Sequence, residues 1–129
     1  MEAEHRCTVL VVDDDAGIRE SLARALRLEN HQVVQAADGL LGLDHLRRNP
    51  APCSILLDLM MPNMDGREFA SEQKKDPALA AIPVIVMSAY GQSVANRKSL
   101  PAFAYLEKPV ELQPLLDCIA SACPFKRPE

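Results

Sequence analysis

The stretch Ile55-Leu56-Leu57-Asp58 is a short apolar run that ends in an acid, and three similar runs occur elsewhere in the chain. These runs are Val9–Val12 before Asp13-Asp14-Asp15, Val84–Met87 before Ser88, and Ala104–Leu106 shortly before Lys108-Pro109. Short apolar runs bounded by polar or Pro/Gly segments are typical of buried parallel strands. Because ligands bind outside the carboxyl ends of such strands, the runs predict acids, a hydroxyl and an ammonium at one edge of a sheet.

The composition predicts one ordinary soluble domain. At 129 residues the chain is long enough for a hydrophobic core and too short for two domains. We expect a single domain over 1–129, with a core at about 8–122 and a polar tail, or the start of a linker, at 124–129. The net charge of −4 argues against a nucleic-acid surface. The sequence contains no apolar stretch of bilayer length and no apolar core of a secretory signal. We therefore predict a cytoplasmic protein that binds neither nucleic acid nor a membrane.

The cysteines carry no predicted chemistry. Cys7, Cys53, Cys118 and Cys123 show no CxxC spacing and no metal-ligand pattern with histidine. We interpret them as small apolar side chains of a protein in a reducing compartment.

Helical patterns alternate with the predicted strands, which we place at 9–12, 32–36, 53–59, 82–88 and 103–107. Helices are expected at about 16–28, from Asp38-Gly39 to Asn49-Pro50, after the loop 62–66 through about Lys75, weakly at 91–100, and from about 112 to Pro124. The predicted apolar face of the first helix is Ile18, Leu22, Ala25 and Leu26, and that of the second is Leu40, Leu43 and Leu46. Phe69 faces inward from the third helix, and the last helix presents Leu112, Leu115, Leu116, Ile119 and Ala120. This alternation predicts an α/β fold, a five-stranded parallel sheet with helices on both faces.

The three consecutive acids after the first run are unusual. One aspartate before an amphipathic helix is explained as a helix N-cap, and we give that role to Asp15. Three adjacent acids repel one another, and a bound cation would relieve that repulsion. We therefore predict that at least one of these acids binds a metal ion.

Asp58 is flanked by so much apolar sequence that burying its charge requires a partner. Loop backbone could hold a lone aspartate, but Asp13, Asp14 and Lys108 are expected at neighbouring strand ends. Asp58 is then a candidate nucleophile towards phosphorus, with a metal ion neutralising the incoming charge. Lys108 would pair with the carboxylates, and Ser88 could hydrogen-bond a phosphoryl oxygen.

Four segments together resemble the CheY-like receiver domain of two-component response regulators. They are Val11–Asp14, Leu56–Gly66, Val86–Ala89 and Tyr105–Pro109. The stretch Asp58-Leu-Met-Met-Pro-Asn-Met-Asp-Gly66 is highly specific, and the resemblance extends from about Thr8 to Ala122. It implies a flavodoxin-like, doubly wound (βα)5 fold.

The resemblance also implies roles for the site residues. Asp58 would accept a phosphoryl group from a sensor histidine kinase or a histidine phosphotransfer protein. Mg²⁺ would be held by Asp14, Asp58 and the backbone carbonyl of Met60, with Asp13 contributing directly or through water. Lys108 would pair with Asp58 and then with the phosphate.

The same resemblance implies a switch rather than an enzyme, with only self-catalysed phosphoryl transfer and slow autodephosphorylation. Ser88, where many relatives carry threonine, would move to bond the phosphoryl group, and Tyr105 would swing inward. These shifts would rework the face formed by the 91–100 helix, the fifth strand and the last helix. That face would bind a downstream protein or a linked effector, and a phosphorylation-dependent dimer is a further expectation.

A phosphatase of the haloacid dehalogenase type is one alternative. Asp13-Asp14-Asp15 offers an Asp-x-Asp after a strand, and Ser88 and Lys108 could serve as later motifs. Against it, Gly17 stands where that family tends to carry threonine or valine, and no second acidic pair follows Lys108. That hypothesis also leaves Asp58 without a role.

The other alternative is a receiver-shaped module that binds its partner without phosphorylation. The weakly apolar segment 91–100 motivates this hypothesis. It ranks below the phosphoacceptor because none of the expected acidic, hydroxyl or lysine groups is missing from the sequence.

Overall fold

The computed structural model describes residues 8–61, 63–88 and 102–122. Within these ranges the chain forms five strands and four helices. They are β1 (Thr8–Val12), α1 (Ala16–Leu28), β2 (Gln32–Ala36), α2 (Gly39–Arg48), β3 (Ser54–Asp58), α3 (Gly66–Lys75), β4 (Val84–Ser88), β5 (Ala104–Glu107) and α4 (Leu112–Ala122). The predicted helix at 91–100 and the predicted stop at Pro124 lie outside the described residues.

The five strands form one parallel sheet in the order β2-β1-β3-β4-β5. β1 is thus an interior strand, and β2 forms the edge next to it. β3, β4 and β5 follow in order on the other side of β1. The predicted five-stranded parallel sheet is confirmed. No helix within the described ranges is long and apolar enough to cross a membrane.

Helices cover both faces of the sheet, as predicted. Side chains alternate along β3, so Leu56 points to one face while Ile55 and Leu57 point to the other. One hydrophobic cluster joins the first face to α1 and α4, and a second cluster joins the opposite face to α2 and α3. Every residue of β3 and β4 is buried because both faces are covered, which explains their continuous apolar sequences.

The bounds predicted for α1 and β2 are confirmed, but two residues of the predicted apolar face of α1, Ile18 and Ala25, are not buried. Leu22 and Leu26 are buried, together with Ala23 rather than the half-buried Ala25. Ile18 is 37% exposed. It lies in the first turn of α1, at the end of the sheet where β1 has already stopped, so no strand covers it.

The predicted apolar face of α2 was wrong at its first position. Leu40 is 53% exposed, and the buried side consists of Gly39, Gly42, Leu43 and Leu46. A Cβ at Gly42 would lie 3.1 Å from Phe69 Cε2 and 3.2 Å from Val12 Cγ2. The helix therefore approaches the sheet through a residue without a side chain, and a search for apolar side chains does not detect such a contact.

In α4 the buried face also differs from the predicted apolar face. Leu115, Ile119 and Ala122 form its buried stripe, Leu116 is half-buried, and Leu112 and Ala120 are exposed.

The strands β3, β4 and β5 are shorter than predicted by one or two residues at their ends. Pro83 lies before β4 rather than inside it. Its carbonyl accepts the Ile55 N–H at 2.9 Å, but it has no N–H of its own to extend the ladder.

The cysteines that the structure describes, Cys53 and Cys118, are free thiols and half-buried. Phe69 is fully buried, so its predicted inward orientation is confirmed. Cys7 and Cys123 lie outside the described residues.

Candidate functional site

The carboxyl ends of β1, β3, β4 and β5 meet at one edge of the sheet. Asp13 follows β1, Asp58 ends β3, Ser88 ends β4, and Lys108 follows β5. The register pairs Asp58 with Met87 and Ser88 with Glu107, which aligns these ends. The topology thereby brings together residues that are far apart in the sequence.

Three carboxylates form the centre of the site. Asp13 is fully buried, Asp58 is only 4% exposed, and Asp14 is exposed to solvent. One oxygen from each of the three lies within 4.8 Å of the other two. Carboxylate oxygens at such separations are suitable ligands for a hard divalent cation such as Mg²⁺.

Lys108 bridges the two buried acids. Its Nζ lies 3.2 Å from Asp13 Oδ2 and 3.2 Å from Asp58 Oδ1. Burial acts to lower the pKa of Lys108, but the charges of Asp58 and Asp13 outweigh burial and raise it. The ammonium therefore stays charged, yet one positive charge does not neutralise three carboxylates.

Asp58 is an acid whose environment opposes its ionisation. Burial, and then the negative charge of Asp13, raise its pKa from 3.8 to about 6. The Lys108 ammonium and the Met60 N–H, which donates to Asp58 Oδ1 at 3.3 Å, act in the opposite direction. At neutral pH the carboxylate is mostly ionised, and it is held where an added cation would be favourable.

Backbone hydrogen bonds hold the acidic loop after β1. The Asp13 N–H donates to Ala36 O of β2 at 3.2 Å, and the Asp15 N–H donates to Asp13 Oδ1 at 2.9 Å. Asp15 Oδ1 accepts the Ile18 N–H at 3.1 Å and so caps α1, which confirms its predicted role. Asp14, between these fixed neighbours, has no hydrogen bond to its side chain within the described residues.

The loop after β3 is held by the start of α3. Asp65 and Glu68 form a reciprocal capping box, with Asp65 Oδ1 accepting the Glu68 N–H at 2.9 Å. The Gly66 N–H donates to Leu59 O at 2.8 Å. A Cβ at Gly66 would lie 2.9 Å from Leu59 Cα and 3.0 Å from Asp58 O, so only glycine allows this close approach.

Ser88 ends β4 at the same edge of the sheet as these acids. Ser88 Oγ is buried and has no hydrogen-bond partner among the described residues, while its carbonyl accepts the Lys108 N–H at 2.8 Å. A buried polar atom without a partner is uncommon and needs an explanation. An oxyanion bound at the site would accept a hydrogen bond from this hydroxyl.

The remaining predicted residues lie at the edge of the site or away from it. Met60 follows Asp58 closely, and its side chain is exposed. Tyr105 is half-buried, and it packs against the hydrophobic cluster on the α2 and α3 side of the sheet rather than among the carboxylates. The peptide bond Lys108-Pro109 is cis.

Arg19 contacts the site, and the sequence analysis missed it. Its Nη1 donates to the Asp13 carbonyl at 2.8 Å, and its Nε donates to Gln35 Oε1 at 3.2 Å. A signal was available, because a cation in the first turn of a helix opposes the helix dipole. Such a residue therefore needs a local acceptor.

A groove of about 510 Å³ opens next to Lys108. It runs between the start of α1 and the loop after β5, and its lining includes Ile18, Leu22, Pro109 and Val110. The lining is mostly apolar, and Asp15, Ser21 and Lys108 add polar groups to it. A partner could reach the acidic cluster along this groove.

Comparisons with known proteins agree with this geometry. The model of the response regulator receiver domain matches residues 9–120. Sporulation initiation phosphotransferase F of Bacillus subtilis is 35% identical over 120 residues, which cover 92% of this chain and 94% of that protein. Response regulator MprA of Mycobacterium sp. (strain KMS) is 37% identical over 110 residues, but the matched region is only 46% of its length.

Solved structures lead to the same family. The chemotaxis protein CheY4 of Vibrio cholerae superposes with a TM-score of 0.82 at 26% identity, covering 92% of this chain and 99% of that one. The resemblance predicted from the four sequence segments is thereby confirmed. The chain belongs to the receiver domain family of response regulators, whose members are the phosphoacceptors of two-component signal transduction.

Proposed function

We propose that Asp58 is the phosphoacceptor of this receiver domain. The observation that carries the proposal is the position of its carboxylate, buried at the end of β3, 3.2 Å from Lys108 Nζ and within 4.8 Å of two further carboxylates. Asp13 also contacts Lys108 and accepts a backbone N–H, but it is fully buried and follows β1, whereas Asp58 is the last residue of the central strand β3. The haloacid dehalogenase alternative leaves that arrangement without a purpose, and the family match does not favour it.

The proposed reaction is a direct transfer between two groups. An oxygen of ionised Asp58 attacks the phosphorus of a phosphohistidine, forming an acyl phosphate as the P–N bond breaks. The electron pair of that bond stays on the departing imidazole nitrogen. The raised pKa of Asp58, about 6, still leaves the nucleophile ionised at neutral pH.

The residues around Asp58 would then stabilise the product. The Lys108 ammonium is 3.2 Å from the carboxylate and can form an ion pair with a phosphoryl oxygen once the group has been transferred. Ser88 Oγ, buried without a partner among the described residues, can donate to another oxygen. The Lys108 ammonium is in contact with the carboxylate before the reaction, so little reorganisation is required of it.

Asp13, Asp14 and Asp58 would hold Mg²⁺, with the Met60 carbonyl as a further ligand. The fit is supported by the three carboxylate oxygens within 4.8 Å and by the excess negative charge left by a single lysine. When bound, Mg²⁺ supplies neutralisation of the charge that gathers as the phosphoryl group meets the acids.

We propose that phosphorylation is read at the face of β5, α4 and the segment 91–100. Ser88 would draw towards the phosphoryl group and Tyr105 would turn inward, as the family resemblance implies. The half-burial of Tyr105 is compatible with a second, more buried position. The partner at this face would be a separate protein, a linked effector or a second copy of the chain.

The remaining proposals concern the setting of the reaction. The phosphodonor would be a sensor histidine kinase or a histidine phosphotransfer protein, and the only intrinsic activities would be self-phosphorylation and slow autodephosphorylation. The single domain over 1–129 and the cytoplasmic location also stay proposals. They rest on the sequence and on the family.

The proposal is tested by the intact mass of the protein after incubation with acetyl phosphate and Mg²⁺. We expect the wild type to gain one phosphoryl group, about 80 Da, and Asp58→Asn to gain nothing. Omitting Mg²⁺ or adding a chelator should suppress the gain in the wild type.

Two controls separate the alternatives. Asp117→Asn removes an exposed acid of α4 and should leave labelling unchanged. Undiminished labelling of folded Asp58→Asn would refute the proposed acceptor. No labelling of the wild type by acetyl phosphate or by a phosphohistidine donor would favour the phosphorylation-independent module.

A further inference from the structure

We propose that Arg19 is a positioning residue for the acidic site, acting through the backbone carbonyl of Asp13. The inference rests on the proposed function, because it concerns the residues that would hold Mg²⁺. It adds a side chain from α1 whose hydrogen bonds go to the backbone carbonyl of Asp13 and to Gln35 of β2.

The first argument is the geometry of the guanidinium. Arg19 is half-buried and spans two elements, with Nη1 at 2.8 Å from Asp13 O and Nε at 3.2 Å from Gln35 Oε1 of β2. The planar guanidinium has a fixed arrangement of donors, so two bonds fix its position. It therefore holds the acidic loop against the neighbouring strand.

The second argument is that the Asp13 carbonyl depends on Arg19. The other polar groups of Asp13 are bound by different partners, Ala36, Asp15 and Lys108. No other donor reaches the carbonyl among the described residues. Without Arg19 this carbonyl, beyond the last ladder bond of β1, would have to turn towards water.

The third argument concerns Asp14. The Asp13 carbonyl belongs to the peptide plane that carries the Asp14 nitrogen, so its direction sets where the Asp14 side chain starts. Asp14 is exposed and has no hydrogen bond of its own to orient it within the described part of the chain. Arg19 thereby keeps the Asp14 carboxylate within 4.8 Å of those of Asp13 and Asp58.

Removing Arg19 should change the affinity for Mg²⁺ in opposite directions if the residue acts through its charge or if it positions the loop. This difference makes the inference testable. A guanidinium near three carboxylates repels Mg²⁺, so removing its charge alone would tighten metal binding. If Arg19 positions the loop, its removal weakens binding instead. A role in stability alone would lower the melting temperature and leave metal affinity unchanged.

The experiment is a titration of the folded protein with MgCl₂, followed by amide NMR shifts. We expect Arg19→Ala to bind about tenfold more weakly, the lower end of the effect of outer-shell partners. Arg19→Lys keeps the charge and can make only one of the two bonds, so its loss should be smaller. Gln35→Ala removes the second anchor and should also weaken binding.

The control is Arg24→Ala, which removes the same charge from an exposed position on the same helix. Arg24 makes no hydrogen bond or ion pair within the described residues, so its variant should bind Mg²⁺ as the wild type does, or slightly more tightly. In acetyl phosphate labelling, Arg19→Ala should need about tenfold more Mg²⁺ for half-maximal rate. Its maximal rate should change much less.

The outcomes separate this inference from the proposed function. Equal or tighter Mg²⁺ binding by folded Arg19→Ala would overturn the positioning role and leave the metal site intact. If that variant does not fold, unchanged binding by Arg19→Lys and Gln35→Ala would overturn it equally. A wild type that is folded and does not bind Mg²⁺ would remove the metal site itself, and this inference with it.

Discussion

At the scale of single residues, the site holds more negative charge than its one lysine can neutralise. Asp58 illustrates the consequence, because its burial and the charge of Asp13 outweigh its contact with Lys108. The Asp58 carboxylate therefore lowers the stability of the folded protein when it is ionised and no cation is bound. A group that destabilises the fold in this way is a sign of function rather than of packing.

This cost gives a stability prediction for Asp58→Asn without Mg²⁺. The pKa of Asp58 is raised from 3.8 to about 6 in the folded chain, so between these values the folded state binds more protons than the unfolded state. The free energy of unfolding of the wild type should therefore fall as the pH rises through that window. Near neutral pH the variant should be more stable by up to about 3 kcal/mol, and the difference should shrink at about pH 4.

Urea unfolding of both proteins across this pH range measures the difference. Asp117→Asn is the matched control, because it removes an exposed carboxylate from α4 and should show no such trend. A variant less stable than the wild type at neutral pH would contradict the prediction.

At the scale of elements, the start of α3 supports the loop that follows the proposed acceptor, Asp58. The Asp65–Glu68 capping box fixes the first turn, and Gly66 brings that turn onto the backbone of Asp58 and Leu59. The close approach explains why a glycine, a poor helix former, begins this helix. Packing of α3 and the position of Asp58 are thereby coupled.

Gly66→Ala should therefore destabilise the protein, although alanine favours a helix. Its Cβ would lie 2.9 Å from Leu59 Cα, which is backbone and cannot rotate away. Overpacking of this kind costs about 1–3 kcal/mol. The midpoint of urea unfolding measures the loss.

Gly17→Ala is the matched control for Gly66→Ala. A Cβ at Gly17, in the first turn of α1, would meet only Asp15 Oδ1, at 3.4 Å. This substitution should be neutral or stabilise the protein by about 0.5 kcal/mol. Equal effects of the two substitutions would argue against the close approach as the cause.

At the scale of the whole molecule, the groove between α1 and the loop after β5 adjoins the proposed phosphoacceptor site, because Lys108 is part of its lining. Ile18 is 37% exposed in this lining, and the Lys108 ammonium, which also belongs to the lining, contacts Asp13 and Asp58. Under the proposed function, a protein phosphodonor would bring its phosphohistidine to Asp58, and this mostly apolar groove is a surface that it would bury. A small donor needs no such contact.

Ile18→Lys should therefore separate the two kinds of donor. We expect phosphorylation by a histidine kinase that labels the wild type to slow about tenfold, as the loss of one interface anchor worth about 1.4 kcal/mol implies. Labelling by acetyl phosphate should be unchanged. Leu28→Lys, at a residue 77% exposed at the other end of α1 and outside this groove, is the control.

Initial rates with both donors, measured for the three proteins side by side, decide the prediction. A parallel loss with acetyl phosphate would instead indicate damage to the acidic site. Equal rates with the kinase would place the phosphodonor on another surface.

The sequence by itself determined the order of the elements and the edge of the sheet where the chemistry lies. Apolar runs that end in Asp13, Asp58, Ser88 and Lys108 were enough, because the carboxyl ends of parallel strands share one edge. Local signals also placed α1 and its cap at Asp15, since capping depends on neighbours in the chain.

Only the tertiary structure decided which helix residues are buried and which side chains touch. Ile18 and Leu40 fit helical periodicity yet are exposed, because periodicity defines a face and not how far the sheet extends beneath it. The two 3.2 Å contacts of Lys108, the Ser88 hydroxyl without a partner among the described residues, and the Arg19 bridge to Gln35 likewise arise between elements. Their distances depend on how the helices and strands pack, which no local stretch of sequence encodes.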